Sequence, residues 1–185
     1  MKTTKKIQVL MLAASSLYAL GSLSSCKDDH DHDEGEVITT LKLICQDSAG
    51  TILPVREFRF DDPDGPGGNN PTRLDTIYLD SGRTTLVSLR FEDASSGSVK
   101  DITTEIRAEG NEHLICVNPS GISLQVTASD SDGKYPIGLE SRWKSSGKGS
   151  GTVKIVLKHQ PGGVKNGSCD PGDTDAEVIF PIVIL

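Results

Sequence analysis

The chain has 185 residues, 19 of them basic and 26 acidic, for a formal net charge of −7, and only 4 % aromatic residues. An acidic surface of this kind repels phosphate, which makes nucleic acid and anionic headgroups poor partners and excludes a basic binding face with interleaved aromatics. Four cysteines are too few for a disulfide-dense scaffold.

The N-terminus reads first as a targeting segment. Lys2, Lys5 and Lys6 form a positive start, and Ile7 to Leu20 supplies an apolar core too short for a comfortable membrane span. The core ends in Leu23-Ser24-Ser25-Cys26, which resembles the bacterial lipobox. That resemblance implies cleavage after residue 25 and acylation (palmitate) of Cys26, with two or three chains holding the protein stably on a membrane where one would not. Loss of the three lysines leaves a mature chain with 16 basic and 26 acidic residues, a net charge of −10.

Residues 26–36 form an acidic, histidine-bearing tether. Lys27, Asp28 and Asp29 after the cysteine resemble the lipoprotein export signal of the Bacteroidota, which implies the cell-surface side of the outer membrane. His30, Asp31, His32 and Asp33 are candidate ligands for Zn²⁺ or Cu²⁺, since imidazole suits both ions and carboxylate completes a shell. No apolar residue surrounds them to preorganise such a site, so a flexible acidic leash is the plainer reading.

Residues 37–185 are about one domain's worth of chain. Apolar residues alternate at period two in Val37 to Cys45, Val55 to Phe60, Leu74 to Leu79 and Val87 to Phe91, then in Ile122 to Val126, Val153 to Leu157 and Val178 to Ile184, and more weakly in Ile137 to Trp143. Short strands parted by Gly, Pro, Asn and Asp predict an all-β antiparallel sandwich, immunoglobulin-like or related. One short helix is predicted over 99–109, because Ser98 to Asp101 has capping-box form and Ile102 and Ile106 fall at helical spacing before Gly110. Pro181 predicts an edge position or a bulge in the last strand.

Cys45 and Cys116 sit in apolar strands, where core-filling thiols are the default and a Cys45–Cys116 disulfide is the alternative; Cys169, in a Gly-rich loop, reads as an exposed thiol. Three loops gather oxygen ligands: Asp61 to Gly65, Ser129 to Gly133 and Asp170 to Asp175. Within them Asp62, Asp64, Asp130 and Asp132 are candidate Ca²⁺ ligands, although Asp and Gly are also what tight turns require. "SSGKGSG", Ser145 to Gly151, lacks the first glycine and the Ser or Thr of a phosphate loop and reads as a glycine-rich hairpin. His113 and His159 are the candidate bases of the domain, neither near an obvious nucleophile, so no catalysis is expected.

The segments "EVITTLKL", "DDPDGPGGNNP", "DITTEI", "EHLICV", "VLKHQPG" and "GDTDAEVIFPI" together resemble a set of small Bacteroidota lipoproteins of unestablished function. That set is often labelled as having a type 1 periplasmic-binding fold, which is a two-domain α/β architecture with many helices. The resemblance implies TonB-dependent outer-membrane receptors as company. Two functions are expected from residues and resemblance together: a surface binding module that captures a small ligand or divalent metal for such a transporter, or a structural or interaction lipoprotein with no small ligand.

Overall fold

A computed structural model describes residues 37–49, 54–65 and 67–185. The expected signal peptide, the expected lipidation and export residues Cys26 to Asp29 and the candidate tether ligands His30 to Asp33 lie outside the described residues. The rest is an all-β sandwich of two sheets with one short helix.

The first sheet contains β1 (Thr40–Asp47), β2 (Arg56–Asp61), β3 (Arg73–Leu74), β5 (Thr84–Asp93), β6 (Lys100–Asp101), β8 (Leu124–Ala128) and β9 (Glu140–Ser145). Its order is β3-β2-β1-β5-β9-β8, antiparallel throughout, and β6 pairs with the last residues of β5 beyond the reach of β9. The second sheet has the order β4 (Ile77–Leu79), β11 (Asp173–Ile184), β10 (Gly149–His159), β7 (His113–Ser120). Only the β4–β11 pair is parallel.

The period-two alternation sets which face is buried, because a slip of one residue would turn every side chain over. Leu41, Leu43 and Cys45 of β1 lie opposite Phe91, Leu89 and Val87 of β5, and all six are buried. Val153, Ile155 and Leu157 pair with Phe180, Val178 and Ala176 to supply the facing layer. Trp143 is fully buried between the sheets, and its indole N–H donates to Ser141 Oγ at 2.9 Å, so its polar atom is satisfied. Each such aliphatic or aromatic side chain contributes roughly 1.5–3 kcal/mol by leaving water.

Several expectations are corrected by the tertiary structure. The helix α1 is shorter than its periodicity implied, Thr103–Ala108, because Lys100 and Asp101 pair with β5 as a strand. Its N-cap residue is Ile102, not Ser98, and the carboxylate of Asp101 just before it accepts from the Thr103 N–H and the Thr104 hydroxyl. Ile102 and Ile106 are buried as their spacing required. The expected strand Leu74 to Leu79 is two strands in different sheets. Leu74 is 47 % exposed and out of phase with buried Ile77 and Leu79, and the chain crosses between layers at Asp75 and Thr76.

Pro181 lies in an interior strand, not at an edge, and the bulge in β11 falls elsewhere, between Thr174 and Ala176. The Leu185 N–H donates to Leu79 O, so odd-numbered residues of β11 aim their N–H toward β4. Since β4 pairs only from Ile182 onward, the missing donor of Pro181 falls where no partner strand has begun.

The cysteine pairing is Cys116–Cys169, which overturns both the Cys45–Cys116 alternative and the exposed Cys169 thiol. Cys116 faces outward with Leu114 and Val156, whereas Cys45 faces the core, so the whole sandwich separates them. Cys45 is free, and burial pushes its thiol up to about 12. The two-domain α/β architecture of the periplasmic-binding label is not that of the described residues, which carry a single six-residue helix.

Candidate functional site

The sandwich is open along one side, where β7 at the edge of the second sheet approaches β8 at the edge of the first. A groove of about 200 Å³ lies there, walled by Leu114, Val117, Val126, Ala128 and Pro136, with the Cys116–Cys169 disulfide at its rim. The Ile115 N–H donates to Ile137 O, so the odd residues of β7 turn their N–H groups to the open side. Ile137 and Gly138 close one end of this edge. A Cβ on Gly138, whose φ is +94°, would stand 2.9 Å from Ile115 O, so only glycine fits that approach. Further along, Pro119 has no N–H to leave open. Between them Val117 presents its backbone to the groove beside the side chains of Asn118 and Ser141. The result is an apolar slot with a few polar groups, the composition of a small-molecule site.

The groove's outer wall belongs to a strap, residues 160–172, laid over the small outer cluster Leu114, Cys116 and Val156. Gln160 holds the strap's turn by donating from Nε2 to Ser168 O and Pro171 O, each at 2.9 Å. A Cβ on Gly172 would meet His159 O at 2.0 Å, so the strap returns into β11 through a position closed to any side chain.

The four candidate calcium ligands are not brought together. Asp62 and Asp64 follow β2 and Asp130 and Asp132 follow β8, at one end of the first sheet but on strands four steps apart, roughly 19 Å at 4.8 Å per step. Among the described residues no three His, Cys, Asp or Glu side chains stand close enough to hold an ion. Asp130 accepts from the N–H groups of Gly138 and Leu139. Asp132 accepts from those of Lys134 and Tyr135 and from Lys165 Nζ, and these bonds hold its carboxyl down to about 2. Asp64 is lowered by the Asn69 N–H that donates to it. Asp62 behaves differently: burial raises its carboxyl above the ordinary range, the neighbouring Asp64 adds to that, and its Oδ1 is buried without a hydrogen-bond partner among the described residues.

Ser145 to Gly151 is not the expected glycine-rich hairpin: β9 belongs to the first sheet and β10 to the second, so residues 146–148 carry the chain across between the layers. Gly151 is required there because a Cβ would stand 2.2 Å from Ser120 O. His113 and Cys116 face opposite sides of β7, and Cys116 is oxidised in the disulfide. His113 and His159 are instead register partners whose rings stack at 5.0 Å. Sequence reasoning named both histidines but missed their carboxylate neighbours: His113 Nε2 lies 3.9 Å from Asp175 Oδ2, and His159 Nε2 lies 3.8 Å from Glu112 Oε2. The out-of-register aspartates of Asp173 to Asp175 were the available signal.

No protein-family model, curated protein or solved structure matches the chain.

Proposed function

We propose that this protein is a lipid-anchored, non-catalytic binding module that captures a small ligand at the outer face of the outer membrane and passes it to a TonB-dependent receptor. The observation that carries the reading is the slot between the open edges of β7 and β8, walled by apolar side chains and offered a few backbone and side-chain polar groups. At about 200 Å³ it is below the roughly 300–1,000 Å³ of drug-sized sites, so the ligand is small and compact. The lipobox and export signal at Leu23 to Asp29 support the surface location, and the acidic tether supports a freely reaching domain. Divalent metal, Zn²⁺ or Cu²⁺, is assigned in this reading to His30, Asp31, His32 and Asp33, with Asp62 and Asp64 as the weaker Ca²⁺ pair.

The second reading, an interaction lipoprotein without a small ligand, is favoured by a different surface. On the outer face of the second sheet, Ile179, Pro181, Val183 and Leu185 form an apolar file beside Tyr78, the register partner of Val183. Ile179 is 50 % and Leu185 53 % exposed.

Native mass spectrometry of the protein taken from its own outer membrane separates the two. Capture predicts a retained small molecule that is lost when Ala128→Trp fills the slot. A protein that carries no such molecule, or one that keeps it with Trp at 128, sinks the first reading. Retention of a receptor, lost in Ile179→Asp and unaffected by Ala128→Trp, supports the second.

A further inference from the structure

Two connections run side by side at the end of the sandwich remote from Val37, where the described chain begins. Residues 121–123 lead from β7 of the second sheet to β8 of the first, and residues 146–148 lead back from β9 to β10. Strand β1 sets the direction: Thr40 pairs with Glu92 near the entry, and Asp47 pairs with Thr85, itself the partner of Trp143. The Ser146 N–H donates to Ser123 O at 2.9 Å, and the two hydroxyls are hydrogen-bonded at 2.6 Å. Two hollows of about 500 and 540 Å³ meet at this tie. Lys148 lines the first, Lys144 and Gln125 line the second, and Ile122, Ser123 and Ser146 line both.

The charge here runs against that of the chain. Residues 141–169 hold Arg142, Lys144, Lys148, Lys154, Lys158 and Lys165 and no aspartate or glutamate, in a chain of net charge −7. Three of these cations are engaged elsewhere: Lys154 with Glu177, Lys158 with Gly172 O and Thr174 Oγ1, and Lys165 with Asp132. Arg142, Lys144 and Lys148 have no hydrogen-bond or ion-pair partner among the described residues. Glu140, on the same face of β9 as Arg142, is already taken by Ser88, Arg90 and Arg107. Because Trp143 is buried, Arg142 and Lys144 both turn outward.

The main chain is also open to a ligand. Gly147 and Gly149 flank Lys148, and a Cβ on either would meet no atom within 4 Å, so an approaching group reaches the backbone unobstructed on both sides of the ammonium. Lysine meets phosphate as a point charge, whereas a planar carboxylate is matched by an arginine fork, and Arg142 stands outside both hollows. The negative charge of the whole chain works against an extended polyanion such as nucleic acid, so the ligand is compact.

We propose that the paired hollows over residues 121–125 and 144–149 form a binding site for a small soluble phosphate compound with two anionic groups, one held by Lys148 and the other by Lys144, with the Ser123–Ser146 hydroxyls between them. The site shares no residue with the groove between β7 and β8, so neither depends on the other. Its place at the end remote from Val37 favours a free phosphate compound over the headgroups of a membrane that holds the chain by its N-terminus.

The test is calorimetry and two-dimensional amide NMR on the protein as isolated from its host, in neutral detergent at low salt, with sodium pyrophosphate as the probe. Saturable binding should shift the amides of residues 121–125 and 144–149 and spare those of Leu114 to Val117 in the groove. Lys144→Gln and Lys148→Gln should each weaken binding about tenfold, the scale of one hydrogen bond to a charged group. Lys154→Gln, which removes an exposed lysine of the second sheet, should leave it unchanged. Inorganic phosphate, with a single group, should bind more weakly than pyrophosphate. The proposal is overturned if millimolar pyrophosphate causes no saturable shift, or if the shifts spread evenly over the lysines of both sheets. Equal affinity in the Lys144→Gln, Lys148→Gln double variant overturns it as well. So does binding to phosphatidylglycerol vesicles without binding to pyrophosphate, which would assign the lysines to a membrane surface.

Discussion

Lys165 holds its ammonium 2.9 Å from the Asp132 carboxylate and 2.5 Å from Gly110 O, while its side chain is 2 % exposed. One buried cation thereby ties three separate segments: the strap, the β8–β9 loop and the turn after α1. The two partners are not equivalent. Asp132 keeps two backbone donors if Lys165 is removed, whereas Lys165 keeps only one carbonyl if Asp132 is removed. Breaking such a pair costs about 3 kcal/mol, mostly through the charge left behind. Asp132→Asn should therefore destabilise more than Lys165→Met in urea unfolding, and the reverse order would show that the pair is not organised this way. Because the Asp132 carboxyl sits at about 2, its contribution is complete above the ordinary carboxylate value and is lost only as pH falls toward 2.

The disulfide closes a separation of 53 residues, which on the chain-entropy account stabilises the fold by about 4 kcal/mol. Cys116→Ser with Cys169→Ser should lower the urea midpoint accordingly. In the folded domain, residues 37–185, no thiol should react with a maleimide, since Cys45 is buried and held far above neutral pH. Denaturation without reductant should expose one thiol, Cys45. Two newly reactive thiols would contradict the pairing.

Asp62 is predicted to be a liability unless a cation sits on it. A raised folded-state value means the folded form prefers the proton, so stability gained from this group is present below its ordinary value and lost as pH rises through the folded one. At pH 7 Asp62→Asn should raise the Tm by about 2–4 °C, the shift expected for ~1 kcal/mol in a domain of this size. Millimolar Ca²⁺ should leave that difference unchanged. If Ca²⁺ instead raises the Tm of the wild-type chain and not of the variant, Asp62 and Asp64 are cation ligands.

Gly172→Ala should be among the most damaging single substitutions outside the core. Its φ is +77°, and the new Cβ would lie 2.0 Å from a backbone carbonyl, which cannot yield as a flexible side chain can. A loss of more than about 3 kcal/mol is expected, with the strap amides losing protection first. Gly147→Ala, in an open turn with no atom within 4 Å, should cost far less.

The proposed lipid anchor is tested at Cys26. Cys26→Ala should abolish palmitate labelling and leave the precursor uncleaved at Ser25. Alanine at Lys27, Asp28 and Asp29 should keep the label but remove sensitivity to protease added to whole cells. Label in the first variant, or unchanged shaving in the second, would refute the respective signal.

Most of the strands were readable because period-two burial is a local property. Val87, Leu89 and Phe91 show their face without reference to any partner. The misread segments are those where a partner overrode local pattern. Val99 to Asp101 has helical spacing, but the unpaired end of β5 recruits Lys100 and Asp101 as a strand. Leu74 to Leu79 looks like one strand until two sheets each claim half of it.

What the sequence by itself determined is the acidic balance, the all-β class and the inward residues of nearly every strand, since composition and alternation are local and the hydrophobic effect acts on each residue separately. Only the tertiary structure decided which cysteine meets which, that Asp62 and Asp64 stay apart from Asp130 and Asp132, and that His113 lies on His159. Those are relations between segments distant in the chain, set by strand order and register. One bulge residue, Asp175, aims its carboxylate at a histidine more than sixty residues earlier for reasons no window of sequence contains.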